Sequence, residues 1–196
     1  MKKRNSLIYS VLFMIALTAF TTLILAVLDQ STRPRVEIQQ QMETHQAILF
    51  SAGIESTEEN VESLYTERMK PVAGEENVYE YYEGSELKGH VIPFEGSLLW
   101  GSATGYLGIA EDGKSLLGMD IVSNAETPGL GGRITEDWFR KQFQSLALKE
   151  EPPYLIYRPA AGGNVDAITG ATQTSESLRI ILNKTLTEYF EKKGGN

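Results

Sequence analysis

Asp166-Ala-Ile-Thr-Gly-Ala-Thr172-Gln-Thr-Ser175 follows a strand-like run (Tyr154, Leu155, Ile156, Tyr157) and a loop with Gly162 and Gly163, and leads straight into a long amphipathic stretch. The reading is strand, tight turn, helix. The helix carries Leu178, Ile181, Leu182, Thr185, Leu186 and Tyr189 on one face, so it packs on a sheet and holds the turn rigid. Thr169, Thr172, Thr174 and Ser175 then crowd the helix N-terminus. Unpaired backbone N–H groups and the positive end of the dipole favour an anion there, such as a phosphate. Gly170 and Ala171 keep the approach small. Taken alone, Thr172 or Thr174 acting as a simple helix cap, at ~1 kcal/mol, accounts for the same residues.

Upstream, hairpin signals organise the chain. Val78–Tyr82 and Leu87–Ile92 flank Gly84-Ser85, and Tyr106–Ala110 and Leu116–Val122 flank Asp112-Gly113. The tyrosines of the first strand read as cross-strand packing. Thr135-Glu-Asp-Trp138 opens a helix with Thr135 as N-cap, and Trp138, Phe139, Gln142 and Phe143 follow as core contacts. Pro152-Pro153 ends it. The fold class is α+β: a twisted, mostly antiparallel sheet packed with helices, preceded by one N-terminal transmembrane helix.

That helix is read over Leu7 to Leu28, a run without charge. At 1.5 Å rise per residue it spans a hydrocarbon core of ~30 Å, and it exceeds the ~7–15 apolar residues of a signal peptide. Lys2, Lys3 and Arg4 before it place the N-terminus in the cytoplasm and the bulk of the chain outside. The expected segments are residues 1–6 cytoplasmic, 7–28 transmembrane, 29–76 a helical connector and 77–196 the sheet-bearing domain. Within the connector, Val36 to about Ser51 reads as a helix continuing from the membrane, and the acidic stretch Glu55–Glu76 as a helix fragment with loops.

The net charge of −8 argues against nucleic acid and anionic-lipid surfaces as partners. With no cysteine, the chain has no disulfides, no thiolate zinc site and no iron–sulfur ligation of its own. His45 and His90 lie far apart and read as satisfied polar residues rather than metal ligands. No Ser-His-Asp set is apparent, and paired carboxylates such as Glu58-Glu59 sit in solvated stretches, so the catalytic and metal-ligand sets are empty.

A second motif precedes the first. Glu126-Thr127-Pro128-Gly129-Leu130-Gly131-Gly132 marks a tight, irregular turn. Taken alone it reads as a structural loop; its glycines equally allow the backbone to lie flat against a planar ligand, with Leu130 projecting onto a ring face. Together with Asp166 and Thr169-Gly170-Ala171-Thr172, in the same order along the chain, it resembles the FMN-binding domain shared by the G subunit of Rnf complexes and the C subunit of the sodium-pumping NADH:quinone oxidoreductase. The likeness extends to the membrane helix and the strand-rich region between. Thr169 stands where serine is commoner, and Asn124-Ala125 where histidine or glycine is often found.

The resemblance implies that Thr172 carries FMN through a phosphoester bond, left there by a flavin transferase that uses FAD and reads this motif; Asp166 serves that step or orients the loop by bonding backbone N–H groups. It implies a bacterial or archaeal inner-membrane protein, single-pass, with its soluble domain on the extracytoplasmic side. It also implies electron relay between other membrane, flavin and iron–sulfur subunits of an Rnf complex, which couples ferredoxin–NAD electron flow to ion translocation. Chain length favours Rnf over the quinone reductase. A reversible, non-redox phosphate-binding module remains as a reading from a different class.

Overall fold

The structure, a computed structural model, describes residues 2–194, with side chains over residues 8–194. The side chains of Lys2, Lys3 and Arg4, on which the orientation reading rests, lie outside that description, as does Leu7. The chain divides into two compact units, Met1–Gln41 and Met42–Asn196.

The first unit is the leading part of α1 (Lys2–Ser51), which runs through Pro34. Its apolar side chains, Leu12, Phe13, Phe20 and Leu25 among them, are exposed. Thr18 and Thr21 donate to the carbonyls of Met14 and Leu17 at 2.7 and 3.0 Å, which hides the hydroxyls along the helix. The helix is long and apolar enough to cross a membrane.

The second unit is built on a five-stranded antiparallel meander, with strands adjacent in chain order: β1 (Met69–Pro71), β2 (Tyr79–Glu83), β3 (Glu86–Ser97), β4 (Ser102–Ala110) and β5 (Leu116–Asn124). Gly84 at φ 62° and Gly113 at φ 69° turn the two expected hairpins. Side chains alternate between two faces. Val91 and Tyr106 point to one, where they pack with Ile48 and Leu49 of α1 and with Val61 of α2 (Val61–Arg68). Phe94, Leu107, Ile109 and Met119 point to the other, under Leu178, Leu182 and Leu186 of the last helix, α4 (Thr172–Gly194).

The end of α1 lies directly on the sheet. Gly53 at φ 80° closes the helix, with Gly53 N–H donating to Phe50 O and Ile54 N–H to Leu49 O, both at 2.9 Å. A Cβ on Gly108 would sit 1.8 Å from the Ser51 carbonyl oxygen, so only glycine admits this approach.

Several expectations need correction. Within the stretch Glu55–Glu76, read as a helix fragment with loops, Met69–Pro71 forms β1 and pairs with β2. β1 is three residues long and ends in proline, too short a run to show periodicity. β3 continues through Pro93 to Ser97 rather than stopping at Ile92, because its β2 partners end at Tyr79↔Val91 and no ladder on that side needs the missing N–H. Thr135 is not an N-cap: its hydroxyl donates back to Gly132 O at 3.0 Å, and Glu136 takes the cap position of α3 (Asp137–Arg140). This helix has four residues, so only Phe139 and Phe143 reach the core, while Trp138 stays exposed and Gln142 bonds the backbone of Asp166. Of the run Tyr154–Tyr157, only Tyr157 enters a strand, β6 (Tyr157–Arg158), parallel to β7 (Val165–Asp166). The Asn183 side chain meets the Leu155 N–H and carbonyl, both at 3.0 Å, in place of a strand partner.

Candidate functional site

The turn from β7 into α4 is pegged at every third residue. Val165, Ile168 and Ala171 are buried in the core under α4, whereas Asp166, Thr169, Gly170 and Thr172 are exposed. Gly170, at φ 83°, bends the chain where no atom lies within 4 Å of a would-be Cβ. The first helical bond of α4 runs from Ser175 N–H to Ala171 O at 3.0 Å, so the N–H groups of Thr172, Gln173 and Thr174 precede it.

The four hydroxyls divide into two pairs. Ser175 Oγ is buried and accepts from Ile168 N–H at 3.0 Å, which makes it the residue that ties the turn to the helix. Thr174, at 1% exposure, donates from Oγ1 to Glu126 Oε2 at 2.7 Å. Thr169 and Thr172 are exposed, and among the described residues their hydroxyls have no hydrogen-bond partner. The capping reading, centred on Thr172 or Thr174, is met by neither: Thr174 turns to Glu126, and Ser175 bonds the Ile168 N–H ahead of the helix.

The second motif meets the first at Glu126, which is 7% exposed. Its Oε1 accepts from Trp100 N–H at 2.8 Å, and its own N–H donates to Asn124 Oδ1 at 3.0 Å. Thr127 O accepts from both Leu130 N–H (3.1 Å) and Gly132 N–H (3.0 Å), drawing the loop into a tight turn, with Gly129 at φ 75° on its outer side. A Cβ on Gly131 would lie 2.3 Å from Glu126 Oε2 and 2.6 Å from Thr174 Oγ1, so the loop reaches this junction only as glycine. Leu130 and Trp100 stay exposed, at 53% and 70%. Trp100 escaped the sequence reading. Its one local signal, an aromatic before Gly101 outside any strand pattern, says nothing of the backbone bond to Glu126.

Asp166 is held differently from expectation. Its exposed carboxylate accepts from Arg158 Nη1 at 2.8 Å rather than from backbone N–H groups, while its N–H donates to Gln142 Oε1 at 2.8 Å. A partly buried ion pair braces the neighbouring α3: Arg140 Nη1 reaches both carboxylate oxygens of the buried Asp120 at 2.7 Å. Burial pushes the Asp120 carboxyl above its ordinary range, and the guanidinium only partly offsets this. His45 stacks on Tyr65 at 3.7 Å and bonds Glu62, and His90 bonds the Tyr189 hydroxyl at 3.1 Å.

An unbonded hydroxyl at a helix start, two positive-φ glycines with open space beside them and an exposed apolar flank fit a phosphate-bearing, flat-ringed ligand. Residues 99–187, which span both motifs, match the family described as the FMN-binding domain. The G subunit of the ion-translocating oxidoreductase complex of Methanosarcina acetivorans is 30% identical over 136 residues, 64% of this chain and 69% of that protein. The G subunit of the proton-translocating ferredoxin:NAD(+) oxidoreductase complex of Clostridium ljungdahlii is 28% identical, over 66% of this chain and 68% of that protein. The C subunit of the Na(+)-translocating NADH-quinone reductase of Yersinia pestis is 32% identical over 57% of this chain, which spans about half of that relative's length (46%). In fold, the chain is similar to the C subunit of the Na(+)-translocating NADH-quinone reductase from Parabacteroides distasonis, with a TM-score of 0.67 at 23% identity, covering 80% of this chain and 94% of that one. The class is thus that of FMN-binding-domain proteins. Within it, the chain belongs to the family that joins the G subunits of the Rnf-type complexes to the C subunits of the sodium-translocating quinone reductases.

Proposed function

We propose that this chain is a membrane-anchored flavoprotein subunit that carries FMN on Thr172 through a phosphoester and relays electrons within an Rnf-type ion-translocating ferredoxin:NAD oxidoreductase complex. The observation that carries the assignment is the division of the hydroxyls: Thr174 and Ser175 are buried and engaged, whereas Thr172 is exposed and unbonded at the start of α4. Rnf is favoured over the quinone reductase because the chain matches 68–69% of the length of the two relatives from Rnf-type complexes but 46% of the quinone-reductase relative.

Bound FMN supplies one- and two-electron transfer chemistry, and the protein supplies position and surroundings. Thr172 provides the attachment oxygen, and the free N–H groups of the first α4 turn stabilise phosphate charge. Thr169, Gly170 and Ala171 form the approach. Leu130, Trp100 and the Thr127-Pro128-Gly129 turn offer the flank for the ring system. Asp166, fixed by Arg158 and exposed, is presented to the flavin transferase that loads the chain from FAD. A covalent tether suits a site beyond the cytoplasm, where a freely dissociating FMN is lost to dilution. In this reading residues 1–6 are cytoplasmic, 7–28 cross the inner membrane of a bacterial or archaeal cell, and the soluble domain lies outside, against other flavin and iron–sulfur subunits.

Denaturing gel electrophoresis tests this after co-expression with a flavin transferase. The unsubstituted chain should give a fluorescent band and Thr172→Ala a dark one. A fluorescent Thr172→Ala band overturns the site assignment. A colourless unsubstituted chain favours the reversible binding module.

A further inference from the structure

Glu126 joins three separate pieces of chain. The turn at Trp100 lies 26 residues before it, and the first turn of α4 lies 48 residues after it. Its own loop folds back so that Gly131 packs on the carboxylate–Thr174 contact. Both carboxylate oxygens are spent, one on the Trp100 N–H and one on the Thr174 hydroxyl. The side chains that flank this junction do face solvent: the Trp100 indole and Leu130 on two of the pieces, and Thr172 on the third.

A tether raises the local concentration of what it holds but does not orient it, because the linking chain has many rotatable bonds. Orientation requires walls fixed relative to the attachment point, and here walls and attachment point come from different segments. We propose that Glu126 is a positioning residue whose buried carboxylate fixes Trp100 and Leu130 relative to Thr172, so that a flavin held on Thr172 adopts one orientation instead of turning about its tether. This rests on the reading of Thr172 as the attachment residue. Glu126 acts through its neighbours: the Thr174 bond sets the α4 turn, the Trp100 bond sets the indole-bearing turn, and the Gly131 packing sets the Leu130 loop.

The chemistry of the junction says which substitutions matter. In Glu126→Ala the buried Thr174 hydroxyl and the Trp100 N–H both lose their acceptor. In Glu126→Gln the amide oxygen still accepts from Trp100 N–H, and the amide NH2 donates to the Thr174 oxygen, so the junction keeps its geometry without its charge. Thr174→Val keeps the buried shape and removes a single bond.

The test uses the full chain, co-expressed with a flavin transferase and purified in detergent. The readouts are visible circular dichroism and fluorescence anisotropy of the covalent flavin, scaled to flavin content after denaturation, with far-ultraviolet dichroism as the check on folding. Glu126→Ala and Thr174→Val should still carry flavin on Thr172 but lose most of the visible dichroism and show lower anisotropy, and Glu126→Gln should retain both signals. If Glu126→Ala does not accumulate, Thr174→Val decides alone. Unsubstituted values of dichroism and anisotropy in a folded, loaded Thr174→Val overturn the proposal, as does a Glu126→Gln chain as disordered at the flavin as Glu126→Ala. An unsubstituted chain without flavin overturns the attachment reading itself, and is told apart from these by its missing absorbance.

Discussion

The loop at 126–132 and the turn at 169–175 are built alike and present opposite chemistry. In each, some residues face inward: Glu126 and Gly131 from the loop meet Thr174 from the turn, while Ser175 ties the turn to its own helix. In each, other residues face outward without a partner. The loop shows carbon there, with Leu130 beside Gly129, whereas the turn shows oxygen and N–H groups, with Thr172 at the head of α4. On the proposed reading one motif offers an apolar flank and the other an anion site, and the Glu126–Thr174 contact under Gly131 holds the two together. Substitutions on the two sets should separate: the inward ones act on stability and on how the flavin is oriented, the outward ones on its attachment and immediate surroundings.

The largest stability effect is expected at Gly131. Glycine to alanine there drives a methyl group into the Glu126–Thr174 contact, at a cost of about 1–3 kcal/mol, read as a lower chemical-denaturation midpoint of the detergent-solubilised chain. A midpoint equal to that of the unsubstituted chain would show that the loop can move away, and the junction would lose its rigid character. Ser175→Ala comes next: it strands the buried Ile168 N–H, a loss of about 1 kcal/mol in the same measurement, with Thr172 still available for loading.

On the outward set, Thr172→Ala and Leu130→Ser should each change stability by less than about 0.5 kcal/mol. Their effects appear in the flavin instead. The first abolishes attachment, and the second leaves attachment intact while raising quenching of the flavin by an added soluble quencher. Equal quenching in Leu130→Ser and the unsubstituted chain would remove Leu130 from the ring's surroundings.

The smallest effect is remote from both motifs and serves as a control. Burial holds the His90 imidazole below its ordinary value of 6.5, with Lys193 adding to the shift and Glu80, Glu111 and Glu75 opposing it. A depressed histidine favours the neutral form in the folded state, so its contribution is intact above that value and is lost as pH falls below it. The unfolding midpoint should drop on acidification from pH 7 to 5, and His90→Gln should flatten part of that slope without altering flavin loading.

Much of the fold was legible because its signals are local. Gly84 and Asp112-Gly113 mark both hairpins, and the spacing of Leu178, Ile181, Leu182 and Leu186 marks the buried face of α4. What escaped depends on distant contacts. β1 is a strand only because Tyr79–Tyr81 lies beside it, and Pro93 is admitted only where the β2 ladder has ended. Trp138 followed helical spacing into an expected core position, yet α3 is too short to carry it there, and its indole N–H turns to Glu136 instead. In the site, the two motifs were readable as residue types in order, but the bond that joins them spans 48 residues and has no local trace. Nor does the sequence say which of four neighbouring hydroxyls are spent. Burial settles that for Thr174 and Ser175, and burial depends on the whole sheet beneath them.

Peptide mass mapping of the full chain, isolated from cells that contain a flavin transferase, with fragmentation to locate the added mass, decides whether Thr172 carries the flavin. The mass of FMN is expected on Thr172 and on no neighbouring hydroxyl. A bare Thr172, or the same mass on Thr169 or Thr174, would contradict that assignment.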